Sequence, residues 1–378
     1  MQLEQTTWTR AAGWAPRPPG RLGESAGLVL VFANTPILKQ PGYLADVKAA
    51  YPKAHVLGCS TAGTIYQTRI VDDALVATAI AFDHSELSGV GVAIEHADRS
   101  AEAGARLATS LPRDGLVHVL VLSDGLTVNG SELVRGLREH LPTHVGITGG
   151  LSGDGDRFQE TVVVWDEAPR PGSVAALGLY GDRLRVGYGS LGGWDPFGPE
   201  RLVTRARGNV LYELDGQSAL ALYKRYLGEH ADGLPATGLL FPLSVRTRSG
   251  EAIVRTILSI DEEQQSLTFA GDVPIGSYAR LMKANFDRLI DGAVGAARAS
   301  YAAVGSNAPD LGILISCVGR RLILKQRTEE EIEGVREILG DGTVLAGFYS
   351  YGEISPFTPS ARCELHNQTM TITTLAER

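Results

Sequence analysis

Three glycine-rich segments carry most of the side chains in this chain that could bind or transform a small molecule. They are GCSTAG at residues 58–63, GGLSGD at 149–154 and GFYSYGE at 347–353. Glycine lets the backbone turn sharply and leaves main-chain N–H groups uncovered, which suits a small anionic or polar group. Each segment follows a short apolar run that is typical of a buried strand. The pattern predicts that the three loops wall one pocket.

The three loops offer a ligand different chemistry. The first has a thiol and hydroxyl groups, the second a carboxylate, and the third phenol groups beside one glutamate. We expect Glu353 to pair either with a ligand ammonium or with a cation of the protein. Asp154 and Asp156 could hold a hard cation, but the other positions of a calcium loop are missing, so loop capping is favoured. The residues predicted to bind ligand in these loops are Cys59, Ser60, Thr61, Gly63, Gly150, Asp154, Tyr349, Tyr351 and Glu353.

A thiol and two guanidinium groups follow the apolar segment 311–315. Cys317 precedes Arg320 and Arg321, whose charges could lower the thiol pKa and make it reactive. The alternative, for Cys317 as for Cys59, is a buried inert thiol. Arg320 is predicted to bind a ligand carboxylate in bidentate geometry, and a surface ion pair is the alternative.

Three polar residues, His366, Asn367 and Gln368, precede the last predicted strand, and His366 and Asn367 are predicted to bind ligand. Polar side chains there either hydrogen-bond a neighbouring loop or face a ligand. His366 is also the residue that we expect to ligate the iron if the protein binds haem, and a structural histidine bonded to the backbone is the alternative. Aromatic side chains that could line such a cavity are Phe348, Tyr349, Tyr351 and Phe357.

Each glycine loop ends a repeated strand–helix–strand pattern. The three copies occupy residues 28–57, 117–147 and 311–346. Each copy reads as a βαβ unit, in which the strands are parallel and the crossover is right-handed. A further strand is expected after each loop, at 74–82, 161–165 and 369–374.

The segment between the second and third copies has a different pattern. Residues 173–190 predict an antiparallel hairpin that turns at Gly181 and Asp182, and residues 253–270 predict another. Residues 217–227 and 278–304 are predicted to be helical. The proline- and glycine-rich segment 192–199 marks the domain boundary.

The fold class expected from these patterns is α/β. Mixed sheets are built from repeated βαβ units in two related halves, with sheets stacked face to face and helices outside. With 378 residues and 44% hydrophobic residues, the chain is long enough for a sizeable core.

The composition and charge of the chain argue against several classes of binding partner. The formal net charge of −8 argues against non-specific binding to nucleic acid or to an anionic membrane. No secretory signal is visible, and only three cysteines occur, so we expect a cytoplasmic protein without a disulfide framework. Neither GxxxxGK[ST] nor GxGxxG occurs, so a nucleotide is not the expected ligand.

Five motifs resemble those of FIST-domain proteins. They are GCSTAG at 58–63, GGLSGDG at 149–155, NVLYELDG at 209–216, GFYSYGEI at 347–354 and CELHNQT at 363–369. The motifs follow in order over most of the chain. The resemblance implies a FIST N-terminal module at 20–191 and a FIST C-terminal module at 200–378.

This resemblance implies a prokaryotic signal-transduction protein that senses a small metabolite, such as an amino acid, and is not an enzyme. No output domain follows the module, so the expected partner is a separate signalling protein, such as a histidine kinase or a cyclic-di-nucleotide enzyme. Some members of the family bind haem and respond to nitric oxide, which makes haem the alternative ligand. A second alternative is an enzyme with Cys317 or Cys59 as nucleophile, which requires a histidine within hydrogen-bond reach of the thiolate.

Overall fold

Three repeats of one strand pattern and one inserted unit build the molecule. The computed structural model describes residues 1–40, 42–246, 252–305, 308–357 and 361–378. No helix within these ranges is both long enough and apolar enough to cross a membrane.

The first repeat is the simplest. Its second parallel strand runs into the first glycine loop, and a short hairpin follows that loop. The elements are β1 (Gln2–Thr9), β2 (Gly13–Ala15), β3 (Leu28–Ala33), α1 (Thr35–Leu38), α2 (Tyr43–Ala50), β4 (His55–Ser60), β5 (Thr64–Tyr66), β6 (Arg69–Val71) and β7 (Leu75–Ala81).

The second repeat adds a helix before its first parallel strand. The elements are β8 (Glu86–Ala93), α3 (Ser100–Ser110), β9 (Leu116–Ser123), α4 (Gly130–His140), β10 (Gly146–Leu151), β11 (Val163–Trp165) and β12 (Ser173–Tyr180). Helix α4 begins at Gly130, because the Asn129 side chain caps it by accepting the N–H of Glu132.

The inserted unit follows the first strand of the third repeat, β13 (Leu184–Leu191). It is an antiparallel sheet with one helix and its own apolar core. The elements are β14 (Asp195–Arg207), β15 (Val210–Leu214), β16 (Gln217–Ser218), α5 (Ala219–Leu227), β17 (Leu243–Arg246), β18 (Ala252–Arg255), β19 (Ile257–Asp261), β20 (Ser266–Phe269) and β21 (Tyr278–Lys283).

The third repeat resumes after this unit. The elements are α6 (Phe286–Val304), β22 (Leu311–Cys317), α7 (Val318–Leu324), α8 (Thr328–Leu339), β23 (Val344–Ser350), β24 (Gly352–Pro356), β25 (Cys363–His366) and β26 (Met370–Glu377). The single helix predicted over 278–304 is wrong at its start. Residues 278–283 form β21, which pairs with both β14 and β17, and Asn285 then caps α6.

Each repeat contributes to a neighbouring sheet as well as to its own. The strand orders of the three sheets are β11-β4-β3-β7-β1-β2, β25-β24-β10-β9-β12-β8 and β13-β26-β22-β23-β5-β6. The segment after each glycine loop crosses over: β5 and β6 join the sheet of the third repeat, β11 joins the first, and β24 and β25 join the second. The three repeats are therefore linked in a cycle.

The hairpin predicted over 173–190 is wrong in its pairing, although both strands form. Strand β12 pairs with β8 and β9, whereas β13 pairs with β26 in a different sheet. The turn at Gly181 and Asp182 carries the chain from one sheet to the next instead of closing a hairpin.

One apolar core is shared by all three repeats. Phe32 of β3, Leu122 of β9 and Ile315 of β22 belong to it, and all three are at most 1% exposed. Burying each such side chain contributes about 1.5–3 kcal/mol. Helices pack on the outer faces of the sheets. The predicted α/β class with mixed sheets is confirmed, and the sheets surround one core.

Candidate functional site

One glycine in each repeat has no room for a side chain. A Cβ atom on Gly58, Gly149 or Gly347 would lie 2.0, 1.9 or 1.8 Å from a carbonyl oxygen of the neighbouring parallel strand. These glycines stand at the same position of β4, β10 and β23, opposite Val31, Val121 and Leu314. They fix the alignment of the three loops that follow.

The three loops meet and are hydrogen-bonded to one another. The bonds run from Ala62 N to Tyr349 O (2.8 Å), from Gly153 N to Ser60 O (2.9 Å) and from Tyr351 N to Leu151 O (3.1 Å). Relative to the three glycines, all three donors occupy one equivalent position and all three acceptors another. The bonds therefore form a closed ring that follows the three-fold repeat. The expectation of uncovered N–H groups is wrong for these three donors, because the neighbouring loop already uses them.

The candidate residues of the first loop are used inside the protein. Cys59 lies in the shared core, and burial raises its thiol pKa. Ser60 Oγ accepts the N–H of Val162 at 3.0 Å, and Thr61 Oγ1 lies 2.9 Å from Thr64 Oγ1. Gly63 faces the guanidinium of Arg321, which a Cβ atom would approach to 2.5 Å. No open ligand position follows from these contacts.

The candidate residues of the second loop are also engaged. Asp154 is buried and accepts bonds from Thr35 Oγ1 (3.0 Å), from the N–H of Glu160 (3.2 Å) and from Arg157. It caps its own loop. No group of metal-binding side chains suited to a cation occurs in the described ranges. Gly150 packs against the third repeat, since a Cβ there would lie 2.7 Å from Ile315.

Arg320 is not at the surface. Its guanidinium is fully buried and donates to Glu331 at 2.7 Å, to Gly192 O at 2.5 Å and to Leu289 O at 2.6 Å. Glu331 also accepts the hydroxyl of Tyr349 at 2.7 Å. Both the predicted ligand role of Arg320 and its surface alternative give way to a buried ion pair, because these partners already use its three nitrogens.

Tyr351 lies at the edge of the loop ring. Its hydroxyl donates to Gly155 O at 3.1 Å, and its ring stacks on Phe158 with centroids 4.5 Å apart. Burial raises the pKa of its phenol. The ring is 8% exposed, so it presents little surface to a ligand.

Glu353 is a buried carboxyl group with hydroxyl and main-chain partners. Ser350 Oγ donates to it at 2.6 Å, and Thr369 donates through its N–H at 3.1 Å and its hydroxyl at 2.9 Å. No cation of the described chain forms an ion pair with it. Burial raises the pKa of Glu353 to about 8, so the carboxyl group is mostly protonated at neutral pH.

Polar atoms without partners occur in the three residues that precede Thr369, a hydrogen-bond partner of Glu353. Within the described part of the chain, Gln368 Nε2 and Oε1, Asn367 Oδ1 and His366 Nδ1 are buried and have no hydrogen-bond partner. Gln368 has the left-handed φ of +64°, and its amide fills the space beside Gly319. Buried polar atoms are almost always paired, so four in three consecutive residues point to a missing partner. We name Cys317, Glu353, His366, Asn367 and Gln368 the third-loop polar cluster.

Gln368 stands with His366 and Asn367 in the polar run before the final strand, but it was not among the residues predicted to bind ligand. Its position gave a signal, since it stands between Asn367 and the final strand, where the same argument from unpaired polar groups applied. What the sequence could not show is that its amide points into the protein and away from solvent.

The three cysteines are free and buried. Burial raises the thiol pKa of Cys317 and of Cys363 as well as that of Cys59. A nucleophilic cysteine needs the thiolate, a form that burial disfavours at all three positions.

The residues around His366 do not fit a haem. The imidazole Nε2 lies 2.7 Å from Ser355 O, and the ring of Phe357 packs on the imidazole with centroids 4.1 Å apart. Burial lowers the pKa of His366 to about 4, so the ring is neutral. His366 does not line either of two cavities, of about 230 and 310 Å³, that occur among the described residues.

Comparison with known proteins identifies the family. A FIST N domain matches residues 27–217, and a FIST C domain matches residues 219–356. The chain belongs to the FIST family. FIST domains are associated with sensing and signal transduction. The two matches meet at β16, inside the inserted unit and beyond the boundary expected at 192–199.

A relative of this FIST protein is the uncharacterized protein MJ1623 of Methanocaldococcus jannaschii. It is 26% identical over 274 residues, which are 65% of this chain and 51% of the relative. The chain thus matches about half the length of that protein. Among solved structures, cyanuric acid hydrolase from A. caulinodans aligns with 78% of this chain and 99% of its own at 11% identity. Its TM-score is 0.18, and a likeness at that level carries no argument.

Proposed function

We propose that this FIST protein is a non-enzymatic sensor of a small metabolite, such as an amino acid, and that it signals to a separate protein, such as a histidine kinase or a cyclic-di-nucleotide enzyme. The observation that carries the proposal is the set of buried, unpartnered polar atoms in the third-loop polar cluster. Leaving a buried polar group unpaired costs about 1–3 kcal/mol, and a ligand that supplies the missing bonds recovers this free energy.

The unpartnered atoms favour a ligand with several N–H groups. His366 Nε2 donates to Ser355 O, so Nδ1 is an acceptor. Asn367 Oδ1 and Gln368 Oε1 are acceptors as well. Among these four unpartnered atoms, Gln368 Nε2 is the donor. A ligand ammonium complements three acceptors, and the carboxyl group of Glu353 can release its proton to pair with that ammonium.

Hydrogen bonds connect the cluster to the segment that leads into the inserted unit. Trp194 Nε1 donates to Gln368 O at 2.9 Å, and Arg320 donates to Gly192 O at 2.5 Å. A ligand that bonds the Gln368 amide and shifts its backbone would move Trp194. This route supports a change in the inserted unit as the signal that a partner reads.

The test is binding of the twenty amino acids, screened by native mass spectrometry and measured by titration calorimetry. Gln368→Met keeps the side-chain length and removes both unpartnered atoms, so we expect affinity to fall at least about tenfold, the equivalent of 1.4 kcal/mol. Gln264→Met, at an exposed position, is the matched control and should bind like the wild type. Binding that survives Gln368→Met unchanged contradicts the site, and a wild type that binds no amino acid contradicts the ligand class.

A further inference from the structure

A second group of polar side chains lies at the opposite end of the first repeat, where β4 begins. His55 Nδ1 lies 2.7 Å from Asp166 Oδ2. The other carboxylate oxygen of Asp166 accepts the N–H of Val56 at 2.7 Å, and the N–H of Asp166 donates to Val56 O at 2.9 Å. Asp166 has the left-handed φ of +53°, which is uncommon for a residue other than glycine. These bonds hold the carboxylate, and the carboxylate orients the imidazole.

Trp165 fixes the imidazole from one face. The two rings stack with centroids 5.0 Å apart and an angle of 19° between their planes. The indole lies over Gly89 and Gly91 of β8, where a Cβ atom on Gly89 would come within 2.0 Å of it. The absence of side chains at Gly89 and Gly91 leaves room for the indole. Asp166 and Trp165 therefore orient the imidazole of His55, with Nε2 as the ring nitrogen left for a ligand.

A cavity of about 230 Å³ opens beside His55. Lys53 and His55 are among its polar lining residues, and Phe82 and Leu87 are its apolar ones. Lys53 pairs with Glu24 at 2.7 Å, but both side chains are about two-thirds exposed, and such surface pairs contribute little. A ligand anion can replace Glu24 at low cost.

We propose that this cavity binds a small carboxylate with an apolar body. The carboxylate accepts from His55 Nε2 and from Lys53 Nζ, while the apolar body packs against Phe82 and Leu87. Because Asp166 Oδ2 accepts from Nδ1, Nε2 donates to the ligand in the ring form that carries both protons. Because the site lies at the amino ends of the parallel strands and the loop ring lies at their carboxyl ends, it is independent of the third-loop polar cluster and of the proposed sensor function.

The test uses benzoate as the probe and follows the imidazole nitrogens of His55 by NMR. In the wild type, benzoate should shift the Nε2 signal of His55 saturably. Lys53→Met should weaken binding at least about tenfold, since it removes a charge-assisted hydrogen bond. Lys39→Met is the matched control, because Lys39 is an exposed lysine that pairs with Glu160 outside the cavity, and it should bind like the wild type.

Two further measurements test the role of the Asp166 charge and the chemical class of the ligand. Asp166→Asn keeps the shape of the side chain and removes its charge, so we expect benzoate affinity to fall several-fold while the stacking of Trp165 on His55 persists in the NMR spectrum. Benzamide, the uncharged isostere, should bind at least about tenfold more weakly than benzoate. No shift of the His55 signals, or equal binding to the Lys53→Met variant, overturns the site. Equal binding of benzamide overturns the carboxylate class.

Discussion

Two fully buried polar groups of the third repeat differ in how completely they are paired. The ion pair of Arg320 and Glu331 has its charges matched and its remaining donors placed on main-chain carbonyls. The third-loop polar cluster is equally buried, but four of its atoms have no partner among the described residues. From the sequence, Arg320 of the first group and Glu353, His366 and Asn367 of the second were all predicted to bind a ligand.

The difference shows that burial alone does not separate a structural polar group from a functional one. A fully paired group stabilises one arrangement of the elements that it joins, here α7, α8 and the segment at Gly192. A group with unpaired atoms retains binding capacity that a ligand can use. We therefore place the ligand site at Gln368 and assign Arg320 to the framework.

The largest effect is expected from breaking the paired group. Arg320→Met leaves the carboxylate of Glu331 buried without its cation, and removing one partner of a buried pair costs about 3–5 kcal/mol. The free energy of unfolding, measured in urea, should fall by that amount. Changing Glu331 to Met as well should recover most of the loss, because an apolar pair of similar size is often no less stable. A loss below about 1 kcal/mol for Arg320→Met would show that the pair is not part of the framework.

Much of the fold follows from local sequence. The three βαβ units, the strands after the loops and the convergence of the loops were all predicted, because apolar runs and glycines mark each strand and its exit. The exchange of segments between sheets was not predicted. Strand β5 pairs with β23, with Thr64 opposite Phe348, and no local pattern encodes a partner so far away in the sequence.

Part of the candidate site was predicted to lie together, and its role in binding a ligand stays a prediction. Glu353, His366 and Asn367 do lie together beside the third loop. Arg320 was assigned wrongly because its partner, Glu331, is on another helix, and neither residue type shows whether a charge is buried or exposed. Pairing depends on the three-dimensional arrangement, which residue types and spacing do not determine.

A medium effect is expected from Glu353, and it depends on pH. The folded protein retains a proton on Glu353 up to about pH 8, whereas the unfolded chain releases it near its ordinary pKa of 4.5. The wild type therefore loses stability relative to Glu353→Gln as pH rises through this window, by at most about 1.4 kcal/mol per pH unit. Urea unfolding of both proteins across the window measures the difference. Parallel stability curves would mean that Glu353 has a cation partner in solution. Glu353 would then be paired in the same way as Glu331.

The smallest effect is the most direct test of the comparison. In the ligand-free protein, Gln368→Met removes two unpaired polar atoms and should raise the free energy of unfolding by about 1 kcal/mol. Thr61→Val, at the first loop, removes a hydroxyl that bonds to Thr64 and should lower it by a similar amount. Opposite signs of the two changes in the free energy of unfolding would show that the third loop has unpaired buried polar atoms and the first does not. A loss of stability in both variants would show that the Gln368 amide already has a partner in solution. The third loop would then be part of the structural framework, as the first loop is.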